Sequence, residues 1–112
     1  MTEKMISLDT QAQFEELLKP INSTGKPAAK NVVVYFTASW CGACKLLDFN
    51  KICSARQDIV WYKCDIDVNK YTLGYCGLTK IPSFAFINSG KFLGKITSSN
   101  TDFVISTLLE SF

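Results

Sequence analysis

Two cysteines three positions apart, Cys41 and Cys44, are the side chains of this sequence best suited to chemistry. Such a dithiol exchanges electrons with disulfides, because one thiolate attacks the target and the second thiol releases the mixed disulfide that forms. If a helix begins at or near Cys41, its unpaired N–H groups and dipole lower the pKa of the Cys41 thiol from about 8.5. Cys44, one turn further along, is expected within disulfide reach and as the more buried, resolving partner.

The segments around the pair predict a strand that gives way to a helix. Residues 32–36 form an apolar, β-branched and aromatic run without alternation, which is typical of a strand covered on both faces. Beyond the pair, apolar residues recur near helical spacing as far as Ser54 or Ala55. Residues 59–66 again favour a buried parallel strand, so the cysteine helix would join two strands in a β-α-β unit.

The rest of the chain supplies the elements of one domain, residues 1–112. The predicted elements are a strand at 4–8, a helix capped by Asp9 or Thr10, a short helix ending at Tyr75, a hairpin of strands 83–87 and 92–96, and a last helix capped by Asn100 or Thr101. Four residues of the last helix are expected to face the core: Phe103, Val104, Leu108 and Leu109. We therefore expect an α/β fold with helices on both faces of a central mixed sheet.

Composition narrows the functional classes. The 12 basic and 10 acidic residues are interspersed, so no basic face supports binding to nucleic acid. The absence of histidine excludes Cys-His nucleophilic catalysis and histidine-ligated zinc. Five cysteines leave at least one unpaired, which favours a reducing compartment. With no leader-like or membrane-length apolar segment in the sequence, we expect a soluble cytoplasmic protein.

The motif Trp-Cys-Gly-x-Cys-Lys at residues 40–45, followed by Ile81-Pro82-Ser83-Phe84 and a hairpin at Gly90, resembles the thioredoxin family over nearly the whole chain. The resemblance implies a thioredoxin fold and a protein-disulfide reductase without a bound cofactor or metal, in which Cys41 attacks and Cys44 resolves. It also implies a cis peptide bond before Pro82, lying against the two sulfurs. The residues implied to bind substrate are Trp40, Gly42, Ile66, Ile81, Pro82, Thr97 and Ser98.

The same resemblance implies the partners. A thioredoxin reductase or a low-molecular-weight dithiol would supply electrons, and the clients would be protein disulfides of peroxiredoxin-like or ribonucleotide-reductase-like enzymes. We expect a monomer.

Cys76 lies near the Ile81–Pro82 loop, where some animal thioredoxins carry a regulatory cysteine. If exposed, Cys76 is a candidate for oxidation, glutathione capping or a dimer bridge; the alternative is a half-buried loop thiol. Cys53 and Cys64 are predicted to pack as small hydrophobes.

Two departures from the family pattern concern the chemistry. Ala43 replaces the usual proline between the cysteines, which restores an N–H near the Cys41 sulfur and predicts a more oxidising potential than a Gly-Pro relative has. Tyr35 replaces the aspartate buried beneath the cysteines, while its lysine partner remains as Lys63. We expect the Tyr35 hydroxyl and the Lys63 ammonium, directly or through water, to take over the polar contact and proton transfer near Cys44, or Tyr35 to fill space while Lys63 reaches solvent.

Two further departures concern shape. Ser98 replaces a glycine in the substrate-facing loop, which would narrow or polarise the docking groove. Phe49 replaces a proline that often kinks the active-site helix, so a straighter helix is expected.

Other interpretations of the cysteine pair stay open at this point. It could be a zinc half-site or two inert core thiols, although zinc would normally require a second pair of closely spaced cysteines. The chain could also be a binding module of the same fold with weak or redirected redox activity, or a metal carrier. Redox chemistry is the interpretation that the motif favours most.

Overall fold

The structure is a computed structural model that describes residues 4–112. These residues contain five strands and four α-helices, in the order β1 (Ile6–Ser7), α1 (Gln11–Leu17), β2 (Asn31–Thr37), α2 (Phe49–Ala55), β3 (Val60–Asp65), α3 (Thr72–Tyr75), β4 (Ser83–Asn88), β5 (Lys91–Thr97) and α4 (Thr101–Ser111). A 3₁₀ helix, Ala43–Leu46, lies between β2 and α2. None of the helices in residues 4–112 combines the length and apolar character needed to cross a bilayer.

The strands form one sheet in the order β1-β3-β2-β4-β5. β1, β3 and β2 run parallel, whereas β4 pairs antiparallel with both β2 and β5. The central strand β2 is buried along its whole length, as its unbroken apolar sequence predicted. The expected mixed sheet is therefore confirmed, and the carboxyl end of its central strand leads directly into the cysteine pair.

Side chains that alternate along β2 feed two apolar clusters, one on each face of the sheet. Val33 and Tyr35 pack with Phe49 and Ile52 of α2 and with residues of α4. On the other face, strand residues pack with α1 and with α3, and Phe14 of α1 is completely buried there. Helices thus cover both faces, as expected.

The core face of α4 is narrower than the sequence suggested. Val104 and Leu108 are completely buried, but Phe103 is 53% exposed and Leu109 is 49% exposed, so the prediction that these two face the core is wrong. The partly buried Ile105 packs against the core instead. At about 100° per residue, Val104, Ile105 and Leu108 lie within one arc of about 100° on the helix, whereas Phe103 and Leu109 lie outside that arc, one on each side.

The helix expected after the cysteines is interrupted. The 3₁₀ helix ends at Leu46, and Leu47 and Asp48 are extended, with φ/ψ of −79°/134° and −97°/92°, before α2 begins at Phe49. The prediction of one straighter helix to residue 54 or 55 is therefore wrong. The extended backbone places Leu47 in the core while Leu46 is exposed, and the Asp48 carboxylate then caps α2 by accepting from the Lys51 N–H at 3.1 Å.

Candidate active site

Cys41 and Cys44 form a disulfide bond, with their Cα atoms 5.3 Å apart. Their predicted disulfide reach is thereby confirmed. Both residues are buried, with 4% of Cys41 and 7% of Cys44 exposed, so the expectation that Cys44 is the more buried partner is wrong. The two cysteines and Ala38 form one small buried cluster, and Ile66 and Ile81 pack against it. The same apolar side chains therefore surround both cysteines.

The backbone of the cysteine turn supplies a donor to the first sulfur. The Cys44 N–H donates to Cys41 Sγ at 3.1 Å, and a bond of this kind favours a sulfur anion over a thiol. Within the described chain, Ala43 makes no such bond, so the N–H that we expected Ala43 to contribute comes from Cys44 instead. Because the 3₁₀ helix has only four residues, local hydrogen bonding is a better source of thiolate stabilisation here than a long helix dipole.

Trp40 stands beside the disulfide and is 64% exposed. Its indole N–H donates to Asp67 Oδ2 at 2.8 Å, which fixes the ring on the loop after β3. Ile66 joins the same edge, since its N–H donates to the carbonyl of Thr37 at the end of β2 at 3.0 Å. Gly42 is exposed at the turn. Sequence reasoning missed Asp67 as the partner of Trp40; the position of an acidic residue just after a strand that ends at this edge was the available signal.

The loop before β4 forms the opposite wall. The Ile81–Pro82 peptide bond is cis, Pro82 is buried, and the half-buried Ile81 contacts the cysteine cluster. The Ser98 N–H donates to the Pro82 carbonyl at 3.2 Å, while the Ser98 hydroxyl accepts from the Asn100 N–H at 3.1 Å. Exposed Thr97 shares a 2.7 Å hydroxyl contact with Ser83. All the residues that the resemblance named for substrate binding therefore lie in the turn, the β3 loop or this wall.

Tyr35 lies in the aromatic core, directly across from Lys63 in the register of β2 and β3. Its ring centroid is 5.3 Å from that of Phe84 and 4.6 Å from that of Phe49. The buried hydroxyl donates to Thr37 Oγ1 at 3.1 Å. Thr37 lies two residues along the same strand and so faces the same side of the sheet, which places its hydroxyl within reach of the phenol. Burial raises the pKa of Tyr35 above its ordinary value, more than the Thr37 bond lowers it.

A contact through water and a role in proton transfer stay predictions, because the described residues show only that no direct hydrogen bond joins Tyr35 to Lys63. Lys63 is half-buried and lines a cavity of about 130 Å³ with Thr37, Ala38, Ser39 and Asp65. The direct Tyr35–Lys63 contact is thus replaced by a Tyr35–Thr37 contact next to a small polar cavity.

The three remaining cysteines are free thiols. Cys64 is completely buried and Cys76 is 7% exposed, so the exposure that would make Cys76 a regulatory or dimer-forming thiol is absent. Burial raises the pKa of Cys76 to about 11 even though the nearby Lys95 charge lowers it. Burial also raises the pKa of Cys64 to about 12 and that of Cys53 above its ordinary value. The expected packing of Cys64 as a small hydrophobe agrees with this burial.

Known proteins share the sequence pattern and the fold of this chain. The family model described as Thioredoxin matches residues 5–111. The thioredoxin of Gallus gallus is 30% identical over 104 residues, covering 91% of this chain and 93% of that protein, and the thioredoxin of Geodia cydonium is 36% identical over 88 residues, 77% of each. A TPR repeat-containing thioredoxin of Arabidopsis thaliana is 26% identical over 99 residues, where the match covers 87% of this chain but a quarter of that longer protein.

Solved structures agree with these matches. The oxidised form of mitochondrial thioredoxin 3 from Saccharomyces cerevisiae superposes with a TM-score of 0.79 at 25% identity, covering 96% of each chain. The thioredoxin of Fasciola hepatica superposes with a TM-score of 0.77 at 25% identity, covering 96% of this chain and all of that one.

Proposed function

This chain belongs to the thioredoxin family, and from that premise we propose that it reduces disulfide bonds of other proteins. It is a thiol–disulfide oxidoreductase, and the observation that carries this function is the Cys41–Cys44 disulfide at the carboxyl end of the central strand. In that position the disulfide lies beside exposed Trp40 and the Pro82 loop, which together offer a surface to a target chain.

Each turnover moves two electrons and two protons from the dithiol to the target. The Cys41 thiolate attacks one sulfur of the target disulfide, that disulfide breaks, and its other sulfur leaves as a thiolate that takes a proton. Cys44 then loses its proton and attacks the Cys41 sulfur, which releases the second target thiolate. The Cys44 N–H, already 3.1 Å from Cys41 Sγ in the oxidised protein, favours the Cys41 anion that begins the next cycle.

The target chain would dock on an apolar surface with polar edges. Its centre is formed by Trp40, Ile66, Ile81 and Pro82, and Thr97 and Ser98 form the border beyond the Pro82 loop. Ser98 turns its hydroxyl toward its own loop, where it accepts from the Asn100 N–H. Its side chain would therefore add both volume and an O–H donor to the edge that faces a client.

A thioredoxin reductase or a low-molecular-weight dithiol would return the oxidised pair to the dithiol state, and the clients would be disulfides of peroxiredoxin-like and ribonucleotide-reductase-like enzymes. Family membership supports both roles. A monomer in a reducing compartment, the cytoplasm, fits the three thiols that remain free beside the disulfide.

Insulin reduction with dithiothreitol as electron donor tests the function. We expect wild-type protein to accelerate precipitation of the insulin B chain and Cys41→Ser to abolish the acceleration, whereas Cys53→Ser, a matched thiol outside the site, should retain it. A wild-type rate equal to that of Cys41→Ser would refute reductase activity and leave a binding module of the same fold. Cys44→Ser should accumulate clients joined to Cys41, which mass spectrometry identifies.

A further inference from the structure

The start of α4 is bonded to the segment that interrupts the active-site helix. Thr101 Oγ1 accepts from the Asp48 N–H at 3.0 Å, across 53 residues of sequence. Next to this bond, the Lys51 ammonium lies 2.8 Å from Asp102 Oδ1. Two contacts therefore tie the first residues of α4 to the beginning of α2.

The bond to Thr101 is made where the cysteine turn ends. The Leu47 N–H donates to the Cys44 carbonyl at 3.3 Å, which closes the 3₁₀ helix. Asp48 is the next residue, and its N–H lies outside the hydrogen bonding of both helices because the backbone there is extended. Thr101 supplies an acceptor within the protein for this N–H, which in exposed Asp48 would otherwise bond water. The exit of the turn is thereby attached to the fold by a side chain outside the turn.

The same loop reaches the other wall of the site. Ser98, three residues before Thr101, donates its N–H to the Pro82 carbonyl, and Asn100 caps α4 by accepting from the Phe103 N–H at 2.9 Å. Residues 98–101 consequently connect the proline wall to the end of the cysteine turn. A change at Thr101 acts on the end of the turn without touching either sulfur or the proline.

We propose that Thr101 is a positioning residue for the Cys41–Cys44 pair, holding the turn in the shape that keeps the two thiols within bonding distance in the reduced protein. The proposal rests on the redox function above. In the oxidised protein the disulfide itself holds the turn, whereas in the dithiol form only contacts such as the Asp48–Thr101 bond do so. Loss of the bond gives the dithiol extra conformational freedom, which lowers the effective concentration of one thiol at the other and disfavours disulfide formation.

The test is equilibration of the pair with glutathione in Thr101→Val, which keeps the shape of the side chain and removes the acceptor. A backbone hydrogen bond of ordinary net strength predicts that the equilibrium constant for disulfide formation falls roughly three- to tenfold. A tenfold change corresponds to a potential about 30 mV less reducing. Release of glutathione from a Cys41 mixed disulfide by Cys44 should slow in the same variant, and Thr101→Ser should restore both values.

Thr107→Val is the matched control, because the Thr107 hydroxyl donates only within α4, to the Phe103 carbonyl at 2.9 Å. It should leave both values unchanged. Equal shifts in Thr101→Val and Thr107→Val, or an unchanged constant in Thr101→Val, would overturn the proposal. If Thr101→Val does not fold, Thr101→Ala supplies the same comparison. Failure of the positioning role leaves wild-type insulin reduction intact, whereas failure of the proposed function removes it, so the two are distinguishable.

Discussion

Two buried thiols should make the stability of this protein fall in mildly alkaline solution. Cys64 and Cys76 lie in the cluster between the sheet and helices α1 and α3. Burial is the main cause that raises the pKa of Cys64 to about 12 and that of Cys76 to about 11, from an ordinary value of 9.0. Charge on Cys76 also raises the pKa of Cys64, whereas the charge of Lys95 lowers the pKa of Cys76 and so offsets part of the effect of burial.

The size and sign of the effect follow from these values. Because each folded-state pKa exceeds the unfolded one, the stabilisation is fully present below pH 9 and is lost as pH rises toward 11 for Cys76 and 12 for Cys64. At pH 10 the unfolded thiols are largely ionised and the folded ones are not, which costs about 1.4 kcal/mol for each thiol, or roughly 3 kcal/mol together. This is a large share of the stability of a small domain, typically about 5 to 15 kcal/mol.

Urea unfolding at pH 7, 8, 9 and 10 measures this loss. A Cys41→Ser/Cys44→Ser parent kept under reductant prevents disulfide exchange during the titration. We expect the parent to lose roughly 3 kcal/mol between pH 7 and 10, and either Cys64→Ala or Cys76→Ala to lose about half as much. The value at pH 7 isolates the packing cost of each substitution. Equal losses in the parent and in the variant lacking both thiols would refute the reasoning.

Four further substitutions test single positions elsewhere in the fold. Gly77→Ala should lower the free energy of unfolding by about 1 to 2 kcal/mol, because Gly77 has φ +74° and its added methyl would meet a lysine ammonium. Gly74→Ala, with open space at its Cβ, should raise it by about 0.5 to 1 kcal/mol. In urea unfolding, a gain in Gly77→Ala or a loss in Gly74→Ala would contradict the expectation for that glycine. Tyr35→Phe should lower the free energy of unfolding by about 1 kcal/mol, because it removes the hydroxyl bond to Thr37. It should leave the pH profile of insulin reduction between pH 6 and 8 unchanged, since the raised pKa of Tyr35 keeps the phenol protonated there. A changed profile would assign the hydroxyl a proton-transfer role. Asp67→Ala should increase acrylamide quenching of tryptophan fluorescence by freeing Trp40, whereas Asp67→Asn, which keeps an acceptor, should not; equal quenching would count against the anchor.

The parts of the site that follow from local patterns were predictable. The apolar run of β2 and the two cysteine positions placed a disulfide at the end of a central strand, and the structure has it there. The break at Leu47 and Asp48 was not predictable from spacing, because residues on either side are compatible with a helix. It is matched by Thr101, far along the chain, and a periodic pattern contains no information about such a contact.

The surroundings of single residues were also not predictable from the sequence. Cys76 stands in a turn-rich stretch that suggests exposure, yet the stretch packs against the sheet, and Lys95 of β5 donates to the Cys76 carbonyl at 2.9 Å. Tyr35 was placed correctly in the core strand, but its partner depended on which hydroxyl or ammonium group lay nearest. Both outcomes are set by tertiary packing, which propensities do not encode.

The interruption between the 3₁₀ helix and α2 has a mechanical meaning for a protein that makes and breaks one bond at every turnover. Leu47 is buried in the core and α2 packs against the sheet, so we expect any change of shape on separation of the sulfurs to stay within residues 41–46, ahead of the Asp48–Thr101 bond. In a continuous helix, a displacement of the cysteine turn would be transmitted along the axis to α2. The two extended residues separate the turn from α2, so we expect the sheet and α2 to keep the same positions in the oxidised and reduced forms.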